Sequence, residues 1–490
     1  MKKSILLFVA LCAMVAAAVA QQRIEVKKNL DSKKIDATFV RESKYMGQYN
    51  GLYCFVGEGR RHRKLLMLSD HNLVPLRVAE LPESSANCDL MAGSIDGTSA
   101  NMLFVDNDPH GLLMVYTARI DLDSMRPADG GRGFVTIDSV TFGRKDRCMV
   151  WAATSDNGQY NALIYIVQYP ERKQYSAHAK LFDARMQTVW SHDYAMGSMD
   201  HLCVTDNGTL VTLGYEPNGE ETHFVFNILN SEKMDTYDAI IKCDPIRELH
   251  LAGVQGSHVM ALGLFNPLES RNDGACGGVV GMSFDMDSAL LTGFTMRPFQ
   301  NEDVNILYNK KTKKIQRTQE VDFISVLGTV MTDNGAVVAV GRNFIKDKIE
   351  DNGNVTPIYH RMGLHLVAID TMGNLSWVRN IRRNDMQKRS DSHLKLALLH
   401  VDGLTHVIKS EHRKYPADYN IAKAAKEFTA TSKSNLVIYS IAPDGTVVKN
   451  ILEKKTRYGL VRSLLRNDGA MTLFTQDGSR SKTLEVKVEK

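Results

Sequence analysis

The sequence of 490 residues predicts an all-β fold in which one four-stranded unit repeats from end to end. Three observations predict it. The first is a complete copy of the unit, residues 200–243, which reads DHLCVTDNG, TLVTLGYEPNGEE, THFVFNILNSEKMD and TYDAIIKC. These are four short runs rich in Val, Leu, Ile, Phe and Tyr, each closed by Gly, Asn, Asp or Glu. Alternation at Leu202 and Val204, Leu210 and Thr212, and Phe224 and Phe226 marks half-buried strands. The second observation is recurrence: the turn marked by Gly208 returns at Gly51, Gly97, Gly158, Gly256, Gly335, Gly403 and Gly469. The third lies at the chain ends. The last unit supplies three strands (GLVRSLLRN, AMTLFTQ, KTLEVKVEK), and a spare strand-like segment, RIEVKKN or KKIDATFV, precedes the first.

Each element follows from local chemistry. Glycine at the marker accepts the positive φ that a type I′ hairpin requires, so the first and second strands of every unit join tightly. The hairpin between third and fourth strands also recurs, as MLSDHNLVPLRVAEL, LFDARMQTVWSHDY, LVAIDTMGNLSWVRNI and VIYSIAPDGTVVKNIL, with Trp190 and Trp377 at one place in their fourth strands. Four antiparallel strands in about 45 residues match one blade of a β-propeller, whose period is about 40–50 residues. Over nearly all of residues 21–490 the chain therefore resembles β-propeller repeat proteins in architecture. A single closed ring of seven or eight four-stranded blades follows. The glycine count favours eight, and seven remain if residues 121–133 interrupt the second unit enough to disqualify it. The N-terminal strand completes the C-terminal blade, which removes two open sheet edges. Repeated Gly-His and Trp-Asp pairs, paired glycines of kelch type and the tryptophan docking motif of quinone-dependent dehydrogenases are absent, so the resemblance carries no activity.

Residues 1–20 read as a signal peptide. Lys2 and Lys3 form a basic start, Ile5 to Val15 an apolar run, and Ala18-Val19-Ala20 a cleavage pattern before Gln21. An exported protein of the periplasm or cell surface is expected, with no transmembrane segment in the mature chain. Charge is nearly balanced, 60 basic against 56 acidic side chains, which argues against a nucleic-acid partner. Beyond Cys12 the cysteines are Cys54, Cys88, Cys148, Cys203, Cys243 and Cys276. No pair has C-x-x-C spacing, so one or two disulfides at most are expected and no structural zinc.

Surplus length falls at residues 301–320, 345–361, 380–392 and 411–434. In strand order A-B-C-D these are D–A and B–C connections, which emerge on the same face because neighbouring strands are antiparallel. One face is thus trimmed to tight turns, and the other is decorated over blades five to seven. Within residues 418–431, DYNIAKAAKEFTAT predicts a short amphipathic helix with Ile421, Ala424, Ala425 and Phe428 on one side. Arg379, Arg382, Arg383, Lys388 and Arg389 make one connection basic, and Lys310, Lys311, Lys313, Lys314 and Arg317 another. Such loops attract acidic glycans, phosphate groups or an acidic protein surface.

First strands line the channel, so their opening residues ring its mouth: Arg147, Asp200, His201, Glu248, His250, Asp322, Asp391, His393 and Arg457. Ligand or partner contact is assigned to His201, Glu248, His250, Asp322, His393 and Arg457 of this ring, together with the basic connection. No catalytic residue, metal or cofactor is assigned. Asp106-Asn107-Asp108 and Asp285 with Asp287 lack the full oxygen set of a calcium loop, and G-x-S-x-G, H-E-x-x-H and phosphate-binding glycine motifs are absent. The reading is an exported non-catalytic binding or assembly module whose decorated face takes a protein or acidic glycan. The alternative is a glycan-acting enzyme with an acidic pair at the channel mouth.

Overall fold

In the computed structural model the described residues are 23–28, 43–58, 63–70, 74–81, 88–108, 111–128, 133–143, 146–169, 174–194, 199–218, 220–266, 275–299, 306–309, 314–317, 321–322, 324–349, 355–381, 383–388, 395–413, 428–429, 434–456, 459–465, 471–477 and 480–489. The signal peptide expected over residues 1–20 lies outside them. The chain divides into two compact units, Lys34–Lys242, and Met1–Lys33 with Cys243–Lys490.

The first unit holds four antiparallel blades. Blade 1 runs Lys44–Tyr49, Leu52–Glu58, Lys64–Ser69 and Pro75–Glu80. Blade 2 runs Asp89–Asp96, Ser99–Asp108, Leu112–Asp121 and Val135–Thr141. Blade 3 runs Arg147–Thr154, Tyr160–Tyr169, Gln174–Asp183 and Thr188–Tyr194, and blade 4 His201–Val204, Leu210–Asn218, Glu221–Leu229 and Met234–Lys242. The second unit holds blade 5 (Ile246–Gln255, His258–Phe265, Gly278–Asp285, Leu290–Pro298) and blade 6 (Ile324–Thr332, Gly335–Ile349, Val355–Asp370, Leu375–Asn380). Blade 7 follows (Leu396–Val401, Leu404–His412, Ser434–Ile441, Val447–Thr456), then the three strands Gly459–Leu465, Met471–Asp477 and Arg480–Glu489. The N-terminal strand Arg23–Lys28 pairs antiparallel with the last of these, Ile24 opposite Val488 and Val26 opposite Val486, and completes blade 8. The protein is an eight-bladed β-propeller.

The second unit in sequence is a full blade. Residues after Asp121 fold back, Arg126–Pro127 pairing with Ile120 and Asp121, and Leu122 is buried.

Within each unit the core lies between successive blades, and the period of two explains it. In blade 2, Met102 and Phe104 pack toward blade 1, whereas Leu103 and Val105 pack toward blade 3. Val338 and Val340 of blade 6 likewise join a core with blade 5, and Val337 and Ala339 a core with blade 7. A second strand buried on both faces reads as a mostly apolar run, and each fully buried Leu or Phe contributes about 1.5–3 kcal/mol.

Turn chemistry differs from the expected type I′ in part. Asn50-Gly51 and Asp402-Gly403 have positive φ at both residues, as type I′ demands. In the loops at Gly158 and Gly208 the glycine takes positive φ and the preceding Asn does not. Asn207 Oδ1 instead accepts from the Thr209 N–H at 3.2 Å, and Asn157 Oδ1 from the Gln159 N–H at 2.9 Å. Gly469 lies outside the described residues.

Two further devices recur. A carboxylate at the end of the third strand accepts backbone N–H groups of the next turn: Asp70 from Val74, Asp183 from Arg185 and Gln187, Asp370 from Met372 and Asn374. That turn's carbonyls in turn accept from a side chain of the preceding blade. Arg77 donates to Leu122 O, Ser94 to Ala184 O, Ser283 to Thr371 O and Trp377 to Pro443 O, while His192 Nε2 lies 3.0 Å from Ser231 O. Trp190 and Trp377 do share one place, each just after a register shift in its hairpin. None of the six cysteines of the described residues is joined in a disulfide. Burial pushes Cys54 and Cys203 up to about 12, so these are packing groups rather than nucleophiles.

Candidate functional site

The decorated end of blade 6 is built from strands rather than loops, which corrects the expectation for residues 345–361 and 380–392. Up to Val340 opposite His365, its second and third strands pair as in other blades. The register then shifts between Val340 and Arg342. Gly341 permits the shift, since a Cβ there would lie 2.9 Å from Gly363 O, and Gly363 itself has φ +63. Beyond the shift the two strands run on together from Arg342 opposite Met362 to Ile349 opposite Val355.

The fourth strand follows them. After Asn380, Ile381 N–H donates to Leu364 O at 2.7 Å and Gly363 N–H to Arg383 O at 2.9 Å. The strand Asn384–Lys388 then pairs with Ile358 to Met362. Phe428–Thr429 adds to it in parallel, opposite Asp385 and Met386. These two residues are therefore strand, not the helix expected over 418–431, whose remaining residues lie outside the described set. Three of the four insertions meet in one extension sheet. The fourth, 301–320, contributes the separate hairpin Ile306–Asn309 with Lys314–Arg317.

Placement of the basic connection changes accordingly. Arg379 lies in the fourth strand, and its guanidinium donates to Gly445 O at 2.6 Å and Asp444 O at 3.3 Å, gripping the blade 7 turn. Arg383, expected on a solvated loop, is 2% exposed. It sits where the strand bends to follow the extension, and Nε donates to Asp385 Oδ2 at 2.7 Å. Lys388 closes the strand, and Arg382 and Arg389 lie outside the described residues.

Behind Arg383 lies a buried charged set that sequence reasoning missed. Lys409 and Glu411 of blade 7 are 1% and 0% exposed. Glu411 takes the Tyr439 hydroxyl at 2.7 Å, the Lys449 ammonium, and Lys409 Nζ at 3.9 Å. Burial pushes the Lys409 ammonium down, against the pull of Asp385 and Glu411. Lys409 and Glu411 are two apart on one strand, so they share a face. That spacing within HVIKSEH was the available signal.

At the first strand of blade 5, Glu248 Oε1 lies 2.6 Å from His250 Nε2. The N–H of Val326 in the first strand of blade 6 approaches the same oxygen at 3.5 Å. Burial pushes the Glu248 carboxyl up, but the hydrogen bond and charge of His250, the Val326 N–H and Arg247 outweigh it and hold the group below its ordinary value. His201 opens the first strand of blade 4, half-buried. Asp322 belongs to a two-residue strand paired with Ala275–Cys276, ahead of blade 6's own first strand. His393 and Arg457 lie outside the described residues.

Blade 3 holds a Ser–His–Asp line: Ser176 Oγ is 3.2 Å from His178 Nε2, and Nδ1 is 2.5 Å from Asp193 Oδ1. Ser176 is held within a paired strand opposite Val167, and Asp193 is 74% exposed, so this is cross-strand polar pairing rather than a shielded relay. Among the described residues no group of three or more His, Cys, Asp or Glu could hold a metal ion. No described helix is long and apolar enough to cross a membrane.

No protein-family model matches the chain, and no curated protein matches it. Among solved structures it is similar to the WD40 domain of SCAP from fission yeast, at 9% identity over 95% of this chain and 98% of that one, with a TM-score of 0.36. It is also similar to the β-propeller domain of the Trilobed protease from Pyrococcus furiosus (11% identity, 86% and 98% covered, TM-score 0.33). A third is oligogalacturonate lyase from Vibrio parahaemolyticus (9% identity, 95% and 97% covered, TM-score 0.35). At such scores no activity passes to this chain, and the fold assignment rests on its own strand pairing.

Proposed function

We propose that this protein is an exported, non-catalytic binding or assembly module whose decorated face docks a protein partner through the blade 6 extension. Export rests on the leader pattern of residues 1–20. The observation that carries the docking reading is the hairpin of residues 342–362, which overruns its blade and leaves Ile345 58% and Val355 59% exposed. A blade needs no such overrun to bury its core, and exposed apolar side chains on a projecting hairpin suit partner contact.

Site-specific photo-crosslinking tests it. A benzophenone amino acid in place of Ile345 is expected to yield one discrete adduct in the native envelope. The same group at Ile240, 68% exposed on the outer strand of blade 4, is the matched control. Equal adduct patterns from both positions, or none from Ile345, would sink the reading.

A further inference from the structure

At the other end of the same strands, where the tight turns lie, the groove between blades 6 and 7 holds an open cavity of about 210 Å³. Comparable turn regions elsewhere are bridged. Tyr49 OH donates to Asp123 Oδ1 at 2.8 Å between blades 1 and 2, and Arg185 Nε to Asp96 Oδ2 at 2.5 Å between blades 2 and 3. Between blades 3 and 4, Asn157 donates to Asp206 Oδ1 at 2.9 Å and Asp206 O at 3.3 Å. Between blades 5 and 6, Gln255 Nε2 donates to Asp333 O at 2.8 Å, and Gly293 lets Met372 O approach to within 1.7 Å of where a Cβ would stand.

Between blades 6 and 7 the contact of Asp333 with the blade 7 side is looser, a 3.5 Å approach of a histidine to the carboxylate rather than a hydrogen bond. The blade 7 turn presents Gly403, whose Cβ position would still be 3.8 Å from Asp333 Oδ2. His400 Nε2 stands 3.5 Å from the same oxygen and makes no hydrogen bond. The cavity walls include Trp377, Ile441 and Pro443, and its rim Asp333 and Asp370. With the Trp377 N–H given to Pro443 O at 3.1 Å, the indole offers the cavity carbon surface. Asp370 spends its oxygens on the turn backbone and on Asn374. Asp333 keeps its carboxylate open to solvent. Among the described lining residues there are two carboxylates, one imidazole (His400, beside Asp333) and no Lys or Arg.

An anion is disfavoured by this charge, and the apolar wall asks for more than water. We propose that the groove is a binding site for a small organic ammonium group, as a free alkylamine or a lysine side chain of a partner. Asp333 takes the charge, and Trp377, Ile441 and Pro443 take the carbon body. The volume suits a chain of about four to six carbons. The proposal does not depend on the decorated-face reading, because no residue is shared.

Tryptophan fluorescence reads it in the full mature protein, since neither Trp151 nor Trp190 lines the cavity. n-Butylamine hydrochloride is titrated against matched sodium chloride, with n-butanol and methyl glucoside as neutral probes. Nα-acetyl-lysine methylamide then tests the side-chain source. The expected result is a saturable change with both amines and none with the neutral probes. Asp333→Asn is expected to weaken it about tenfold, at an unchanged melting temperature. Asp402→Asn, a neighbouring carboxylate outside the lining, is expected to leave it alone. The proposal is overturned if the amines give no saturable change, if a neutral probe saturates equally, or if Asp333→Asn binds like the parent.

Discussion

Blade 4 and blade 6 are built on one plan and depart from it at one end. In blade 4 the second strand ends at Asn218 and the third begins at Glu221, so the connection is two residues long. In blade 6 the same strands reach 15 and 16 residues, and the fourth strand bends after them. The two blades share the glycine-marked turn after the first strand. What differs is that blade 6 spends extra residues on more antiparallel ladder, redirected at Gly341 and Gly363, instead of on irregular loop. Backbone groups in the added segment are thereby satisfied by the sheet itself. The bend carries a cost: it turns Arg383 and Asp385 inward to the charged groups of blade 7. Blade 4 keeps its ion pairs, such as Lys242 with Glu220, on the surface.

This contrast is open to breakage. The largest effect is expected at the bend. Arg383→Ala leaves buried Asp385 without its hydrogen-bonded partner, and should cost about 3–5 kcal/mol in a denaturant titration. Lys242→Ala in blade 4 removes an exposed pair and should cost less than about 1 kcal/mol. The paired change Arg383→Met with Asp385→Leu should recover much of the loss. Equal costs for the two single variants would mean that the bend is not held as described.

A smaller, pH-dependent effect is expected at His365, on the blade 6 third strand just inside the bend. Its ring is fully buried, stacks on Phe299 at 5.2 Å and has no hydrogen-bond partner on either nitrogen. Burial pushes its pKa from 6.5 to about 4. Above pH 6.5 neither the folded nor the unfolded ring is charged, and the residue's contribution is fully present. As pH falls from 6.5 toward 4 the unfolded chain takes a proton that the fold refuses. Stability then drops by about 1.4 kcal/mol per pH unit. His365→Phe should flatten that slope between pH 6.5 and pH 5, whatever it does at pH 7. An unchanged slope would place the acid sensitivity elsewhere, for instance at His406, which burial also pushes to about 4.

The repeat was legible because it rests on local chemistry that recurs. Alternating apolar runs, the marker glycines and the spare N-terminal segment each report on a strand or turn by themselves. The carboxylate closing the third strand, at Asp70, Asp183 and Asp370, was equally visible and was passed over. The extension was not legible as strand. Pro357 and the sequence DNGN at 351–354 favour a loop by composition, and a two-residue strand such as Phe428–Thr429 leaves no periodic trace against the helix-forming residues before it. Burial of Arg383 was hidden for another reason. An arginine in a run of basic residues looks solvated until the bend of its own strand and the carboxylates around it are known. Period and spacing report on a strand's two faces, but not on which neighbour covers them.

The most direct test of the contrast is the melting temperature of a protein with the extension shortened. Residues 344–360 are replaced by Asn-Gly, joining Asn343 to Arg361, which face each other in the ladder. This retains Gly341, Gly363 and the Arg383–Asp385 pair while removing the projection. If the extension is an addition to a blade complete without it, the midpoint should stay within about 2 °C of the parent, less than about 1 kcal/mol for a chain this long. A fall as large as that of Arg383→Ala would contradict this, and would make the overrun part of what holds blade 6 together.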